Sequence, residues 1–287
     1  GLVVLTVRGE ETGGFVTPVK RWLVAVRVYL PLTLNFAQRE LKVQHKRSAL
    51  GWAWSLLNPL SRIFVYSLVF GVIFRFQPPE AGSGQLNFAM YLFSGLIIWL
   101  IFESMIRGAM HWLISVGDLR RKVYFPLETV AFGGAAAVGF QALIEAMVLL
   151  VFMAFYGNLG WTIVLLPVVL LFTAMFGLGI GMVMSVFNTR YRDVENLIVI
   201  LLSTMFFLVP IVYTEDLIPE EAYGLPAADL IGANPISQFV GTARDVVYFL
   251  EWPSLARMGL LSLYAFGSLG VGWWFLNRRS MALSEEM

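Results

Sequence analysis

The 287 residues contain no cysteine, two histidines and little charge, with Asp, Glu, Lys and Arg together at 14%. Without thiols there is neither a disulfide nor thiolate chemistry, and the redox state of the compartment leaves no mark. His45 and His111 stand on different segments with no carboxylate–histidine spacing around them, which argues against a metal site. No G-x-x-x-x-G-K-[ST] phosphate loop occurs, so ATP is not bound by that route. Gly177, Gly179 and Gly181 form G-x-G-x-G, but a dinucleotide fingerprint needs glycine at 182, where Met stands, and a preceding strand. That run reads instead as close helix packing through Gly177 and Gly181. Ser83 in Ala81-Gly82-Ser83-Gly84 lacks the first glycine of a nucleophile elbow. The acids Asp118 and Asp193 are isolated, so a metal-dependent membrane transferase would lack its acidic cluster. No catalytic residue and no metal ligand is assigned.

What the chain has in excess is apolar surface. Hydrophobic residues make up 58%, aromatics 15%, and mean hydropathy is +0.74. This composition implies an all-α polytopic membrane protein. Six stretches approach the length of roughly 20 residues that a bilayer core requires; they lie at about 54–76, 89–112, 129–156, 161–187, 195–213 and 255–276. The net charge of +1 hides strong segregation. Residues 18–50 hold seven Lys or Arg against one acid, Glu40. Arg120, Arg121 and Lys122 follow the second stretch, Arg190 and Arg192 the fourth, and Arg278 and Arg279 the sixth. The residues between 214 and 254 carry seven acids and one base. By the positive-inside rule the basic segments are cytoplasmic, giving six transmembrane helices with both termini inside. Arg75 and Arg257 are mild exceptions.

Ahead of the spans, Val19, Trp22, Leu23, Val26 and Leu30 recur at helical spacing among Lys20, Arg21 and Arg27, the pattern of an interfacial amphipathic helix. Pro31 and Thr33 predict a break, with a second, more charged helix over 35–50. The chain therefore divides into an N-terminal tail (1–17), cytoplasmic interfacial helices (18–50), a transmembrane domain (51–280) and a C-terminal tail (281–287). The 214–250 region is too apolar for a plain loop, and Pro219, Gly224, Pro226, Gly232 and Pro235 cut it into pieces too short to span. Asn234-Pro235 is a helix start, with Asn as cap and Pro at the first position. Re-entrant helices at the outer mouth of a pathway fit this pattern; an amphipathic segment resting on the outer leaflet is the alternative.

Arg62, Glu103, Arg107 and Glu145 fall inside predicted spans, where ionisable groups are expensive and face protein or water. Glu103 and Arg107 are spaced to pair on one helix face. They serve either to fix helix packing or to line the route of a polar cargo. Tyr66, Phe70 and Phe74 continue an i, i+4 series from Arg62, suited to helix packing, to lipid, or to the C–H faces of sugar rings.

One stretch carries a resemblance. Arg39-Glu40-Leu41-Lys42-Val43, Lys46, Ser48-Ala49-Leu50-Gly51, Trp54 and Pro59 resemble the entry motif of ABC-2 type permeases, in particular the polysaccharide-exporting branch. Phe187-Asn188-Thr189-Arg190-Tyr191-Arg192-Asp193-Val194, Pro210-Ile211-Val212-Tyr213 and Asn234-Pro235-Ile236 with Arg244-Asp245 follow in the same order, so the resemblance covers about residues 18–280. It implies a homodimeric membrane subunit in the bacterial cytoplasmic membrane that pairs with two copies of a nucleotide-binding ATPase subunit. ATP and Mg would be bound by that partner, with no cofactor in this chain and no role for nucleic acid. The cargo implied is a polyprenyl-diphosphate-linked glycan. Arg39, Lys42, Lys46 and Arg47 would receive the carrier diphosphate at the cytoplasmic rim, or equally bind anionic membrane lipid. Asp118, Leu119, Arg120, Arg121, Lys122 and Tyr124 would lie in the loop coupled to the ATPase, and Leu217, Pro219, Gly224 and Pro226 in the outer gate. A permease for a drug or simple lipid is the nearer alternative, and a lipid-sugar transferase the more distant one.

Overall fold

The computed structural model describes residues 18–44, 50–117, 119, 125–191, 193–221, 224 and 226–286. These residues form nine α-helices. They are α1 (Pro18–Gln44), α2 (Trp54–Tyr66, extended by a π-turn over Ser67–Ile73), α3 (Phe88–Ser115), α4 (Leu127–Phe155), α5 (Leu166–Arg190), α6 (Asp193–Leu208), α7 (Ala227–Ala233), α8 (Pro235–Arg244) and α9 (Leu255–Glu286). Among the described residues, five helical segments are long and apolar enough to cross a membrane: Trp54–Ile73, Phe88–Ser115, Leu127–Phe155, Trp161–Arg190 and Leu255–Arg279. The expected span at 195–213 is a shorter helix. α6 has 16 residues and gives way to a turn at Val209, so it covers about 24 Å against a hydrocarbon core of about 30 Å.

α3 is the axis of the bundle. Over its first half, Phe88–Phe102, it is apolar on every side, the pattern of a helix buried all round, and Met90, Leu92, Leu96, Ile97 and Ile98 are wholly inaccessible. Its start is fixed by Asn87, whose Oδ1 accepts hydrogen bonds from the amides of Ala89 (3.0 Å) and Met90 (3.2 Å). α5 lies against it through the anticipated glycine seam. A Cβ on Gly181 would come within 2.9 Å of the Met105 carbonyl oxygen, and one on Gly177 within 3.1 Å of that of Phe102. Gly179 faces the opposite way and meets Ser268 and Gly272 of α9 at backbone contact, so the G-x-G-x-G run lets α5 approach two helices at once.

α1 corrects one expectation. It is a single helix with Pro31 inside it, rather than two helices broken there. Packing along α4 explains the continuity, since Phe36 and Ala37 are buried and a Cβ on Gly133 would strike Phe36. Tertiary contact of this kind outweighs the local cost of an interior proline. Ahead of α2, Gly51 takes a left-handed φ of 50° and turns the chain into that helix.

The helix ends sort into two groups. One end of the bundle carries α1; the other carries the connections at 74–87, 156–165 and 245–254. The second is laced together. Asn158, fully buried, donates to the carbonyls of Val247 (2.9 Å) and Tyr248 (3.0 Å) and accepts from the amide of Ser83 (3.0 Å). Thr162 donates to Val246 at 2.7 Å, and the Tyr248 hydroxyl to Pro79 at 2.6 Å.

Candidate functional site

The sequence-predicted residues fall on three parts of this frame. At the α1 end, Arg39 and Lys42 lie on α1 beside Asn35, Gln38 and Val43, which line an open hollow. Arg39 also borders a small gap with Glu40 and with Trp112 and Ser115 of α3. Lys46 and Arg47 lie outside the described residues, as do Asp118, Arg120, Arg121, Lys122 and Tyr124; Leu119 is exposed.

The second part is α2. Pro59 has no amide hydrogen, so the helix cannot satisfy the Ser55 carbonyl four residues back. The Gln141 side chain of α4 does so instead, donating from Nε2 at 2.8 Å, and also donates to the Glu145 carboxylate at 3.0 Å. Glu145 thus faces the helix pack and is buried. Arg62, one turn beyond Pro59, points to α3. Its guanidinium stands 3.6 Å from one Glu103 oxygen, while Arg107 donates to the other at 3.0 Å. The Glu103–Arg107 spacing was legible along one helix; the arrival of Arg62 from another was not. Tyr66, Phe70 and Phe74 follow as a run of touching rings, with centroids 6.5 and 5.7 Å apart. Tyr66 stacks on Phe206 of α6 at 5.5 Å and Phe70 leans on Phe88. Phe74 alone of the three is wide open, at 67%.

The third part was only partly foreseen. Arg244 closes α8 and is buried without a carboxylate in hydrogen-bond contact. Its guanidinium donates to the carbonyls of Pro210 (2.5 Å) and Ile211 (2.8 Å), just past the C-terminus of α6. It also lies 3.7 Å above the Tyr91 ring of α3. A positive group at a helix C-terminus and over an aromatic face is favourably placed. Space for it comes from Gly95, where a Cβ would sit 3.0 Å from Nη2. Burial lowers the pKa of this guanidinium from its ordinary value, and nearby Tyr91 and Glu215 oppose that shift. The Tyr91 hydroxyl donates to the Tyr213 carbonyl at 3.1 Å, so the Pro210–Tyr213 turn is pinned from two helices. Next in sequence, burial pushes the Asp245 carboxyl up and Arg257, 2.6 Å away, pulls it back. The motif pairs Pro210-Ile211 and Arg244-Asp245 were visible in sequence, but nothing local shows that one grips the other.

The proposed gate residues lie between α6 and α8. Leu217 closes a single 3-10 turn and is exposed, Gly224 has φ of 76°, and Pro226 precedes the seven-residue α7. As anticipated, Asn234 caps α8, its Oδ1 accepting from the Ile236 amide at 3.1 Å. Two apolar hollows of about 580 and 750 Å³ share Phe132 and Leu269, and neither has a described lining residue from α2.

Three similarities bear on this arrangement. The O-antigen export system permease protein RfbA of Myxococcus xanthus is 27% identical over 84% of this chain and 92% of its own. A protein of the same name from Klebsiella pneumoniae is 28% identical over 75% of this chain and 79% of its own. The polysialic acid transport protein KpsM of Escherichia coli is 23% identical over 78% and 85% respectively. The family model for ABC-2 type transporters matches residues 32–225, from α1 through the turn before α7. The chain belongs to the ABC-2 type transporter family and is an integral membrane protein.

Proposed function

We propose that this chain is the permease subunit of an ATP-driven exporter that moves a polyprenyl-diphosphate-linked polysaccharide across the bacterial cytoplasmic membrane. The observation that carries the reading is the similarity, over most of both chains, to permeases named for O-antigen export. ATP and Mg are bound by a separate ATPase subunit, two copies of which pair with a permease homodimer. In this arrangement the α1 end is cytoplasmic, in keeping with the basic residues there. α6 and the turn after it make the fifth of six crossings, which places both termini on the cytoplasmic side. α7 and α8 are the re-entrant elements of the outer mouth.

Each part then has a task. Arg39 and Lys42, with Lys46 and Arg47 after them, draw the anionic head of the carrier to the membrane surface. The 113–126 segment transmits motion from the ATPase. Tyr66, Phe70 and Phe74 offer sugar rings a weak, sequence-tolerant surface. The Arg244 knot holds the α6 turn against α3 and α8 at the outer side.

The test is reconstitution of the chain with its ATPase subunit in vesicles containing lipid-linked glycan. ATP should make the glycan accessible to a glycosidase on the opposite face. ATP-driven movement of an apolar dye or plain lipid with the glycan left in place would overturn the cargo.

A further inference from the structure

We infer that Arg62, Glu103 and Arg107 form a transient site for the diphosphate of the carrier lipid, in which Glu103 acts as a built-in competing anion; this rests on the proposed cargo. Two guanidiniums share a single carboxylate. Only Arg107 is hydrogen-bonded to it, and Arg62 at 3.6 Å makes an ion pair without a hydrogen bond. The exposures are unequal in a telling way. The side chains of Arg62 and Arg107 are 47% and 51% open, whereas Glu103 is 19% open. The other nearby acid, Glu145, is buried and held by Gln141. The face presented to the surroundings is therefore cationic.

Depth decides what that face meets. Arg62 lies about 12 Å along α2 from Trp54, and Glu103 about 18 Å along α3 from Ser115. Arg62 reaches across to Glu103 instead of back toward the interface. Half-open guanidiniums at such depth are costly against acyl chains and belong beside water or an anion.

The approach to the site is also laid out. Glu103, Arg107, His111 and Ser115 repeat every four residues, one face of α3 with steps of about 6 Å. Arg107, His111 and Ser115 are exposed, and Ser115 borders the same small gap as Arg39 of α1. An anion drawn to the basic rim thus has a continuous polar stripe leading to the paired guanidiniums. Two guanidiniums offer the donors a diphosphate needs. Glu103 reclaims them once the diphosphate moves on, which keeps the affinity low enough for release.

The experiment uses the permease–ATPase complex in neutral phosphatidylcholine nanodiscs, titrated with a polyprenyl diphosphate and, as probes of specificity, the matching polyprenol and phosphatidylglycerol. Glu103→Gln should tighten diphosphate binding about tenfold and slow ATP-driven export, leaving polyprenol binding unchanged. Arg62→Gln with Arg107→Gln should weaken it by about tenfold or more, the scale of a lost charged hydrogen bond. If the double variant fails to assemble, Glu103→Gln alone decides. Unchanged or weaker diphosphate binding in an assembled Glu103→Gln complex overturns the site, as does equal competition by phosphatidylglycerol. A wild-type complex that binds no polyprenyl diphosphate overturns the cargo reading and this inference together.

Discussion

α2 and α3 are neighbours of similar apolarity and opposite fate. α3 buries most of its length, the exposed positions gathering toward its C-terminal end, with Trp99 at 2% exposure between Phe102 and Phe206. Among the described α2 residues only Ser55, Pro59 and Ile63 are buried, while Phe64, Val72, Ile73 and Phe74 are each about two-thirds open. The difference is in the backbone as much as the side chains. α3 is a regular helix capped by Asn87, whereas α2 carries Pro59 near its start, a π-turn at its end and a left-handed Arg75 after it. π-turns recur at functional positions. Hydropathy alone selects helices for the membrane; it does not say which of them face protein.

Substitutions on the α3 side should therefore be the most damaging. Gly181→Leu would drive a side chain into the backbone at Met105 and Ile106, where nothing flexible can yield. We expect destabilisation of about 3 kcal/mol, the upper part of the usual overpacking range, seen as a fall in the thermal midpoint of the detergent-purified chain. Arg244→Met should cost about 2 kcal/mol, because it leaves the Pro210 and Ile211 carbonyls unpaired in a buried site. Arg244→Lys should not restore the midpoint, since an ammonium cannot bond both carbonyls in the same fork or lie flat on Tyr91. On α2, Phe64→Ala should shift stability by no more than about 0.5 kcal/mol. A large fall there would show that α2 is packed in the single chain after all, and would dissolve the contrast.

Much of the frame was legible in the sequence because it depends on local rules. Apolar length located α3, α4 and α5 to within a few residues, although α9 runs on well past the expected 276 to Glu286. Asn234-Pro235 announced α8, and Gly177 with Gly181 announced a close seam. What could not be read depends on partners far away in the chain. Pro31 looked like a break because the support of α4 for α1 is a tertiary fact. The fifth predicted span looked 19 residues long because Val209–Tyr213 is apolar, yet Arg244 and Tyr91 hold those residues in a turn. Among the site residues, the i, i+4 pairing of Glu103 with Arg107 followed from spacing, while Arg62 joined it from α2. The Gln141 bond to Ser55 had no local signal beyond the carbonyl that Pro59 leaves open.

The central claim is that the open face of α2 borders a water-accessible path. Because the chain has no cysteine, single substitutions can be labelled without background from this subunit. Arg62→Cys and Phe74→Cys, both on open positions of α2, should react in membranes with a charged, water-borne thiol reagent while the permease–ATPase complex turns over, whereas Ile97→Cys and Ile98→Cys on α3 should stay inert. Inert cysteines at 62 and 74 throughout turnover would contradict the account.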